Sequence, residues 1–259
     1  EHATTSQQQV GTRLQRLRQV GNRADAGEAQ HGDDRLARIA GENLTEVDSL
    51  GRIRIDPNGN WSIPTSIRIA KRLADDLEYY EDPTPGLEGM AEVYKATGLL
   101  QATNMVVTSW SHLKRSVELD SVQIVLSDHH YWGGLRATQA LARTCQAFGL
   151  GLSMHSNSHL GISLMAMAHV AAAVPNLDYA CDTHYPWQEP DEEVIKGGKL
   201  PIVDGCVKIT RAPGLGLELD HDQLGKLHDQ YLSCGIRQRD DVKQMQRYQP
   251  DWKTVKPRF

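Results

Sequence analysis

The stretch IRIDPNGNW, residues 53–61, is a short strand pattern that ends at once in a polar turn. Pro57 fixes φ, and Asn58 and Gly59 tolerate positive φ, so an ordinary turn explains these residues when the stretch is taken alone. A carboxylate at the tip of a strand, here Asp56, points to function only if polar tips of the same kind follow other strands. The rest of the chain therefore decides how this stretch is interpreted.

From residue 52 onward, short β-rich runs alternate with amphipathic runs of helix length. This alternation is typical of βα units around a parallel sheet, and its repeat of roughly 22 to 29 residues suits a βα barrel. The predicted strands are 53–55, 79–80, 101–103, 122–126, 151–154 and 179–181. The predicted helices between them are 62–76, 86–97, 109–117, 133–148 and 159–173. The sequence therefore predicts an α/β fold built as a partial (β/α)8 TIM-type barrel of six strands.

The composition favours a small polar ligand as the partner. The 259 residues carry a net charge of -5 with mixed signs, whereas nucleic acid or an anionic membrane requires a concentrated basic face. The apolar runs are shorter than the roughly 20 residues of a membrane-spanning helix. The four cysteines form no CxxC pair, and we expect reduced thiols and a cytoplasmic protein.

The two ends of the chain differ from the middle. Residues 1–50 contain no aromatic residue and no lysine, so only weak, exposed helices at 10–20 and 34–44, or disorder, are expected there. Residues 195–209 predict a hairpin. We therefore divide the chain into an N-terminal segment, 1–50, a partial barrel, 51–190, and a C-terminal hairpin, helix and tail, 191–259, that completes the barrel or caps it.

Every predicted strand ends in polar residues. Helix caps and turns explain serine or aspartate at such positions, but not the repeated use of histidine, asparagine and glutamate. In a parallel barrel all these tips lie on one face, where such folds bind ligands. The tips are Asp56, Glu81 with Asp82, Asn104, Asp128 with His129 and His130, His155 with Ser156 and Asn157, and Asp182 with His184.

Three consecutive tips, Asp56, Glu81 and Asn104, offer oxygen ligands, which suit Mg²⁺ better than Zn²⁺. Glu88 is a second candidate for the acidic ligand. Asp128 precedes His155 by one βα unit, so its carboxylate could orient the imidazole and raise its basicity. These patterns predict an acid/base pair that faces a magnesium site.

An alternative is a zinc hydrolase on the same barrel, with ligands among His129, His130, His155 and His159. His155 and His159 stand four residues apart, as zinc ligands on one helix face do. The signal is weak because residues 156–157 look like a strand-to-helix junction and no glutamate follows as a base.

Seven segments, in order, resemble glucarate dehydratase, of the enolase superfamily: RIDPNGNW, YYEDPTPGLEGM, ATNM, LSDHHYWGG, MHSNSHLGISL, CDTHYPWQ and PGLGLELD. The resemblance runs from about residue 52 to about residue 242 and covers strands 3 to 8 of that family's barrel. It implies Mg²⁺ on Asp56, Glu81 or Glu88, and Asn104, with Asp128 and His155 as the catalytic pair. It also implies substrate contacts, which are Asn58, Ser156, Asn157, His184 and Arg239.

The implied reaction is the dehydration of D-glucarate, L-idarate or both to 5-dehydro-4-deoxy-D-glucarate. Enolase-superfamily sites combine a Lys or His base with Mg²⁺, and the cation takes up the charge that develops when a proton α to a carboxylate leaves. The expected partner is a small aldarate, with neither nucleic acid nor a membrane.

The sequence departs from the family at one catalytic element. Relatives carry Lys-x-Lys on the strand before the Asp56 strand, but the first lysine of this chain is Lys71. We expect residues 1–50 to be a foreign or out-of-frame leader joined to a partial barrel. An open barrel edge predicts pairing with a second copy or with an N-terminal barrel portion. The alternative to an active dehydratase is therefore a catalytically impaired fragment.

Overall fold

A five-stranded parallel sheet forms the centre of the structure, a computed structural model that describes residues 12–13 and 53–254. The strands of the chain are numbered from β1, Thr12–Arg13, which lies outside this sheet. Those of the parallel sheet are β2 (Ile53–Ile55), β3 (Leu77–Glu81), β4 (Gln101–Thr103), β5 (Ile124–Ser127) and β6 (Gly151–Met154). They lie side by side in chain order, and each pairs in parallel with the next.

Helices connect consecutive strands of the sheet. They are α1 (Ile63–Leu73), α2 (Leu87–Thr97), α3 (Trp110–Leu119), α4 (Leu135–Phe148) and α5 (Gly161–Ala173), which follows β6. Parallel strands in strict chain order, each joined to the next through one helix, are the wall of a βα barrel; a doubly wound sheet would reverse its order. The predicted α/β fold and partial barrel are therefore confirmed.

Local signals set where the helices begin and end. Ser62 and Ser109 accept hydrogen bonds from backbone amides in the first turns of α1 and α3, as N-cap serines do. At the other end, α2 and α4 stop at Gly98 and Gly149, which adopt the left-handed conformation with φ of 66° and 70°. These residues explain why the predicted helix bounds lie close to the observed ones.

The two faces of the sheet pack against different partners. Val125 and Leu152 face the helices and belong to the large core between sheet and helices. Tyr79, Ala102 and Leu126 form a smaller cluster on the other face, the barrel interior. Each of these three residues lies two positions before a polar strand tip. Side chains two residues apart on a strand point to the same face, so each shares its face with the tip that follows it. The tips therefore belong to the interior face of the barrel.

A buried arginine lies in the same interior layer. Arg54 donates to Glu78 at 2.6 Å and to the carbonyl of Ala180 at 3.0 Å, and its guanidinium carbon lies 4.5 Å from the ring centre of Tyr79. Its side chain is 2% exposed, and it precedes Asp56 by two residues. This cation lies one layer beneath the acidic strand tips, where it offsets part of their charge.

The predicted sixth strand, 179–181, is not a regular strand; the structure has a one-residue bridge there, at Cys181. The segment still runs beside β6, because the Asp182 amide donates to Met154 O at 2.8 Å. The amides of Asp178 and Tyr179 both approach Leu152 O, at 3.1 and 3.3 Å. Two donors on one carbonyl interrupt the regular ladder, yet the tip residue Asp182 is brought to the neighbouring tip of β6.

The C-terminal part contains a hairpin and two exposed helices. The predicted hairpin is confirmed at β7 (Ile202–Val203) and β8 (Cys206–Val207). Its turn, Asp204 and Gly205, has positive φ at both positions, as a two-residue hairpin loop prefers. The helices α6 (His221–Cys234) and α7 (Asp241–Met245) bury no side chain.

Only a small part of the N-terminal predictions falls on described residues. Thr12–Arg13, inside the helix predicted at 10–20, form strand β1 instead, because their backbone pairs antiparallel with β8. The helix predicted at 34–44 lies outside the described residues. In residues 53–254, no helix is both long enough and apolar enough to pass through a membrane. The four cysteines are free thiols.

Candidate functional site

The tips of β2, β3 and β4 bring carboxylates together at the carboxyl end of the sheet. Oxygen atoms of Asp56, Glu81 and Asp82 lie within 4.8 Å of one another. The Asn104 side chain joins them, since its Nδ2 donates to Glu81 Oε1 at 3.2 Å. Asp56, Glu81 and Asn104, the three predicted oxygen ligands, are therefore adjacent in the folded chain.

The turn after β2 holds Asp56 in place. Asp56 Oδ1 accepts the backbone N–H of Asn58 at 2.6 Å, and Asn58 has a φ of 52°. The next amide, of Gly59, donates to the carbonyl of Asp82 at 2.7 Å. The turn therefore does two things at once: it reverses the chain, and it fixes the carboxylate against the tip of β3.

Asp82 is a residue of the cluster for which sequence reasoning proposed no role. It is buried, and its two oxygens accept from Thr103 Oγ1 at 2.5 Å and from the Asn104 amide at 3.1 Å. Asp82 thus positions the residue that follows β4. Its place directly after Glu81, at a strand tip, was the only signal in the sequence.

Burial and mutual repulsion raise the pKa values of these carboxyl groups. Desolvation raises the pKa of Asp56 to about 7 and that of Asp82 to about 6. Desolvation, followed by the nearby Asp56 and Asp82, raises the pKa of Glu81 well above its ordinary value. Buried carboxylates in contact need a compensating cation to be ionised at neutral pH. The donor set, hard oxygens only, fits Mg²⁺.

An imidazole lies between two further carboxylates. His155, at the tip of β6, is 6% exposed. Its Nδ1 lies 3.8 Å from Asp128 Oδ2, and its Nε2 lies 3.7 Å from Asp182 Oδ2. Both distances exceed hydrogen-bond length. The structure therefore brings the predicted pair together and adds Asp182, a strand-tip residue to which sequence reasoning gave no role.

Asp128 is shared between two histidines. Its Oδ1 accepts the His130 backbone amide at 2.9 Å and lies 2.6 Å from His130 Nδ1, while its Oδ2 faces His155. Burial alone would raise the pKa of Asp128, but the contacts with His155 and His130 outweigh it, and the pKa lies at about 2. Asp128 is therefore a permanent anion beside His155.

The histidines of the zinc alternative do not form one group. Ligand atoms of Asp128, His129 and His130 lie within 4.8 Å of one another. His155 and His159 are not part of that group. His159 instead contacts Ser163 and Thr183, so the four histidines are divided between different surroundings.

Two predicted residues lie away from the carboxylates. Glu88, in the first turn of α2, is exposed and pairs with Arg115 of α3 at 3.2 Å. Arg239, before α7, is 87% exposed and pairs with Asp241 at 2.6 Å. Neither is brought to the cluster: Glu88 lies on the helix layer, and Arg239 lies in a segment that buries no side chain. Of the two acidic candidates, Glu81 is the one beside Asp56.

The four other predicted substrate contacts differ in their burial and in their partners. The His184 ring centre lies 6.4 Å from that of His155. Ser156 is fully buried, and its Oγ contacts His159 at 3.2 Å. Asn157 is exposed and donates to the Tyr131 hydroxyl at 2.8 Å. Asn58 is exposed in the turn after β2.

A cavity of about 430 Å³ opens beside His184; its lining includes Trp187, the last residue of a 3-10 turn at Tyr185–Trp187, and Leu227 of α6. Asp56, Glu81 and Asn104 do not line it. The candidate reactive groups are the clustered carboxylates and the His155 imidazole, and none of them lines this cavity.

The family described as Enolase C-terminal domain-like matches residues 26–223, more than half of the chain. The chain belongs to this enolase-like family. The match confirms the predicted membership of the enolase superfamily. It begins at residue 26, earlier than the predicted start near residue 52, and so includes part of the stretch expected to be unmatched.

The relatives of this enolase-like chain include one curated protein at 51% identity over 204 residues, a probable glucarate dehydratase of Streptomyces coelicolor. That alignment covers 78% of this chain and 47% of the relative. The chain thus spans about half the length of the curated relatives it matches.

Two solved structures of the enolase group share the fold. One, from Pseudomonas fluorescens Pf0-1, is 83% identical with a TM-score of 0.76 and contains magnesium, potassium and tartrate; the match covers 80% of this chain and 49% of that one. The other, from Gibberella zeae PH-1, is 49% identical with a TM-score of 0.75 and contains magnesium, formate and sulfate; the match covers 82% and 51%. Magnesium is thus bound by close structural relatives.

The clustered carboxylates predict an unusual effect of Asp56→Asn on stability. The pKa of Asp56 is about 7 in the folded protein and 3.8 ordinarily, so between these values the folded state keeps a proton that the unfolded chain has lost. The free energy of unfolding therefore falls as the pH rises through this window. In metal-free buffer at about pH 8, we expect the variant to be more stable than the original by about 2 kcal/mol.

Urea denaturation at about pH 8 and about pH 4.5 measures this difference, which should be much smaller at the lower pH. The titration of the histidines cancels because both proteins contain the same ones. Saturating Mg²⁺ should reverse the order at the higher pH, since only the original chain keeps the full set of ligands. A variant less stable at every pH would contradict the proposed repulsion.

Proposed function

We propose that this chain is the barrel portion of a Mg²⁺-dependent dehydratase for a sugar diacid, D-glucarate or L-idarate. The single observation that carries the proposal is His155, held between Asp128 and Asp182 on the same barrel face as the Asp56, Glu81 and Asn104 cluster. The 51% identity to a probable glucarate dehydratase and the tartrate-bound relative, whose ligand is a hydroxylated diacid, support the choice of substrate.

Asp56, Glu81 and Asn104 would hold the cation. When bound, it would supply positive charge against the negative charge that develops on the substrate carboxylate as the α-proton leaves. The carboxylates that repel one another in the metal-free chain would then be ionised and compensated. Asp82 would support this set by holding the Asn104 backbone.

His155 would carry the proton. Its Nδ1 faces the anion Asp128, and we assign Nε2, which lies 3.7 Å from Asp182 Oδ2 and so beyond hydrogen-bond length, to the substrate. Nε2 takes the proton from the α-carbon, and the electrons of that C–H bond form a double bond to the β-carbon. The β C–O bond breaks, and the imidazolium returns its proton to the departing hydroxyl, which leaves as water. The resulting enol tautomerises to the keto-deoxy diacid.

The missing Lys-x-Lys favours the use of one epimer. A base on the opposite face of the substrate would accept the opposite stereochemistry, and the sequence contains no lysine before Lys71 that could do so. We therefore expect His155 to act on the epimer whose α-proton faces it. The same lack of a Lys-x-Lys pair supports the alternative, a fragment that binds metal and ligand but converts the substrate slowly.

The edge of the sheet would be covered in the active protein. Among the described strands, β2 pairs only with β3, and a free parallel edge exposes backbone donors and acceptors. We propose that further barrel strands or a second copy cover it. Sedimentation equilibrium of the purified chain gives its oligomeric state, and thermal denaturation shows whether it unfolds cooperatively. A monomer that unfolds cooperatively would argue against a second copy.

The proposed reaction is tested with the purified chain, Mg²⁺ and each of D-glucarate and L-idarate in D₂O, followed by ¹H NMR. We expect loss of one epimer and formation of a keto-deoxy diacid that carries deuterium. Chelation of the metal should stop the reaction, and galactarate, a different epimer, serves as the control substrate. A folded chain that binds Mg²⁺ and leaves both substrates intact would favour the impaired fragment, and metal analysis that finds zinc instead would favour the hydrolase.

A further inference from the structure

A chain of hydrogen bonds runs from the Asp128 carboxylate to the hydroxyl of Thr183, the residue after Asp182, and it does not pass through His155. Thr183, next to Asp182, has its Oγ1 2.5 Å from His159 Nε2. His159 Nδ1 lies 3.2 Å from Ser163 Oγ, and Ser163 Oγ lies 3.0 Å from His130 Nε2. His130 Nδ1 lies 2.6 Å from Asp128 Oδ1.

With a neutral His130 ring, the contacts allow one consistent direction for the protons. Asp128 is an anion and can only accept, so His130 carries its proton on Nδ1 and accepts at Nε2. Ser163 then donates its single hydroxyl proton to His130 Nε2. Its lone pair accepts from His159 Nδ1, and His159 Nε2 accepts from the hydroxyl of Thr183. Each hydroxyl and each ring nitrogen has one role along this path.

The state of His159 agrees with this direction. Desolvation, followed by repulsion from His129 and His130, lowers the pKa of His159 to about 4. The ring is therefore neutral at physiological pH, with one donor and one acceptor nitrogen, as the path requires. The backbone amide of Tyr185 donates to Thr183 Oγ1 at 3.2 Å, which leaves the Thr183 proton for His159.

We propose that His130 is a positioning residue, ordered through Ser163, that holds Asp128 Oδ1 so that Oδ2 faces His155. The kinetic consequences of this inference rest on the proposed function, whereas the positions of the protons on His130 and His159 do not depend on it. Two donors of one residue, the His130 amide and ring, fix the same oxygen of Asp128. Free rotation of the carboxylate would otherwise exchange the oxygens and weaken the orientation of His155.

The test compares Ser163→Ala with Ser163→Thr. The first removes the hydroxyl between His130 and His159, and the second keeps it on the same helix. In ¹⁵N-labelled protein, two-bond ¹H–¹⁵N NMR spectra report which ring nitrogen carries the proton. We expect His130 and His159 to be Nδ1–H tautomers in the original chain and in the threonine variant. In the alanine variant, His159 should show a mixture of tautomers.

A second variant, His130→Phe, keeps an aromatic ring and the backbone amide but removes the ring donor to Asp128. We expect kcat to fall by about 10- to 100-fold with KM within about twofold, as for residues that orient a reacting group. His130→Asn, which can still donate to Asp128, should recover part of the loss. His112→Phe, at an exposed histidine that contacts Thr108, is the matched control and should retain full kcat.

The two readouts separate this inference from the proposed function. Absence of turnover in every variant, together with the expected tautomers, would overturn the dehydratase proposal and support the order of the protons. Unchanged tautomers in Ser163→Ala would overturn the positioning role, as would a rise in KM with kcat unchanged in His130→Phe. If His130→Phe fails to fold, the Ser163 pair alone decides.

Discussion

Replacing Glu81 with glutamine should remove high-affinity Mg²⁺ binding and lower Mg²⁺-dependent turnover by about 1,000-fold. Glu81 is 3% exposed and lies in contact range of the Asp56 carboxylate and the Asn104 amide. Glutamine keeps the shape but removes one negative charge from the set that compensates the cation. Loss of several kcal/mol of charge stabilisation corresponds to a change of this size. Isothermal titration calorimetry with Mg²⁺ and steady-state kinetics measure the two effects.

The matched control is Glu88→Gln, the same substitution in the first turn of α2, at an exposed carboxylate paired with Arg115. It should leave Mg²⁺ affinity and turnover unchanged, because surface ion pairs of this kind contribute little. The pair of variants decides between the two acidic candidates that the sequence left open. Loss of metal binding in Glu88→Gln, with normal binding in Glu81→Gln, would exchange their roles.

Replacing His155 with asparagine should lower turnover by about 1,000-fold and leave Mg²⁺ binding intact. The imidazole lies between Asp128 and Asp182, outside the set of oxygen donors. Asparagine can still face Asp128, so folding should be preserved, but it cannot exchange a proton at neutral pH. The effect matches the usual contribution of a general acid or base. Exchange of the substrate α-proton with D₂O measures the step directly.

His112→Asn is the control for that substitution, since His112 is exposed on α3 and its ring hydrogen-bonds only to Thr108 among the described residues. Turnover in this control should equal that of the original chain. Proton exchange that persists in His155→Asn would remove the histidine from the reaction and leave another base to be found. Loss of Mg²⁺ affinity in the same variant would instead indicate a disturbed cluster.

The turn that opens the barrel segment shows how far local sequence reasoning reaches. Asp56, Asn58 and Gly59 were each explained by an ordinary turn, and the structure shows that turn, with positive φ at Asn58 and an Asp56 side chain that accepts its amide. The functional meaning came from recurrence, since parallel strands end on one face. The convergence of Asp56 with Glu81 and Asn104 could therefore be predicted without coordinates.

Other features could not be predicted because they depend on contacts between distant segments. In the sequence, Asp82 and Asp182 are only polar residues at strand tips. The packing of the strands shows that Asp82 holds the Asn104 amide and that Asp182 faces His155. The resemblance implies Arg239 as a substrate contact, yet its position depends on how α7 packs, and here α7 buries no side chain. The predicted strand at 179–181 is irregular for a similar reason, because two amides at its start share the carbonyl of Leu152 on the neighbouring strand.

The sequence by itself determined the order of βα units, the face on which the polar tips lie and the chemistry of the oxygen donors. These follow from alternation along a strand and from residue type, which are local properties. Only the tertiary structure decided which carboxylates touch, which acquire raised pKa values and which histidine shares Asp128 with His155. Those properties depend on distance and burial, because charges interact strongly only where water is excluded and neighbours are a few ångströms apart.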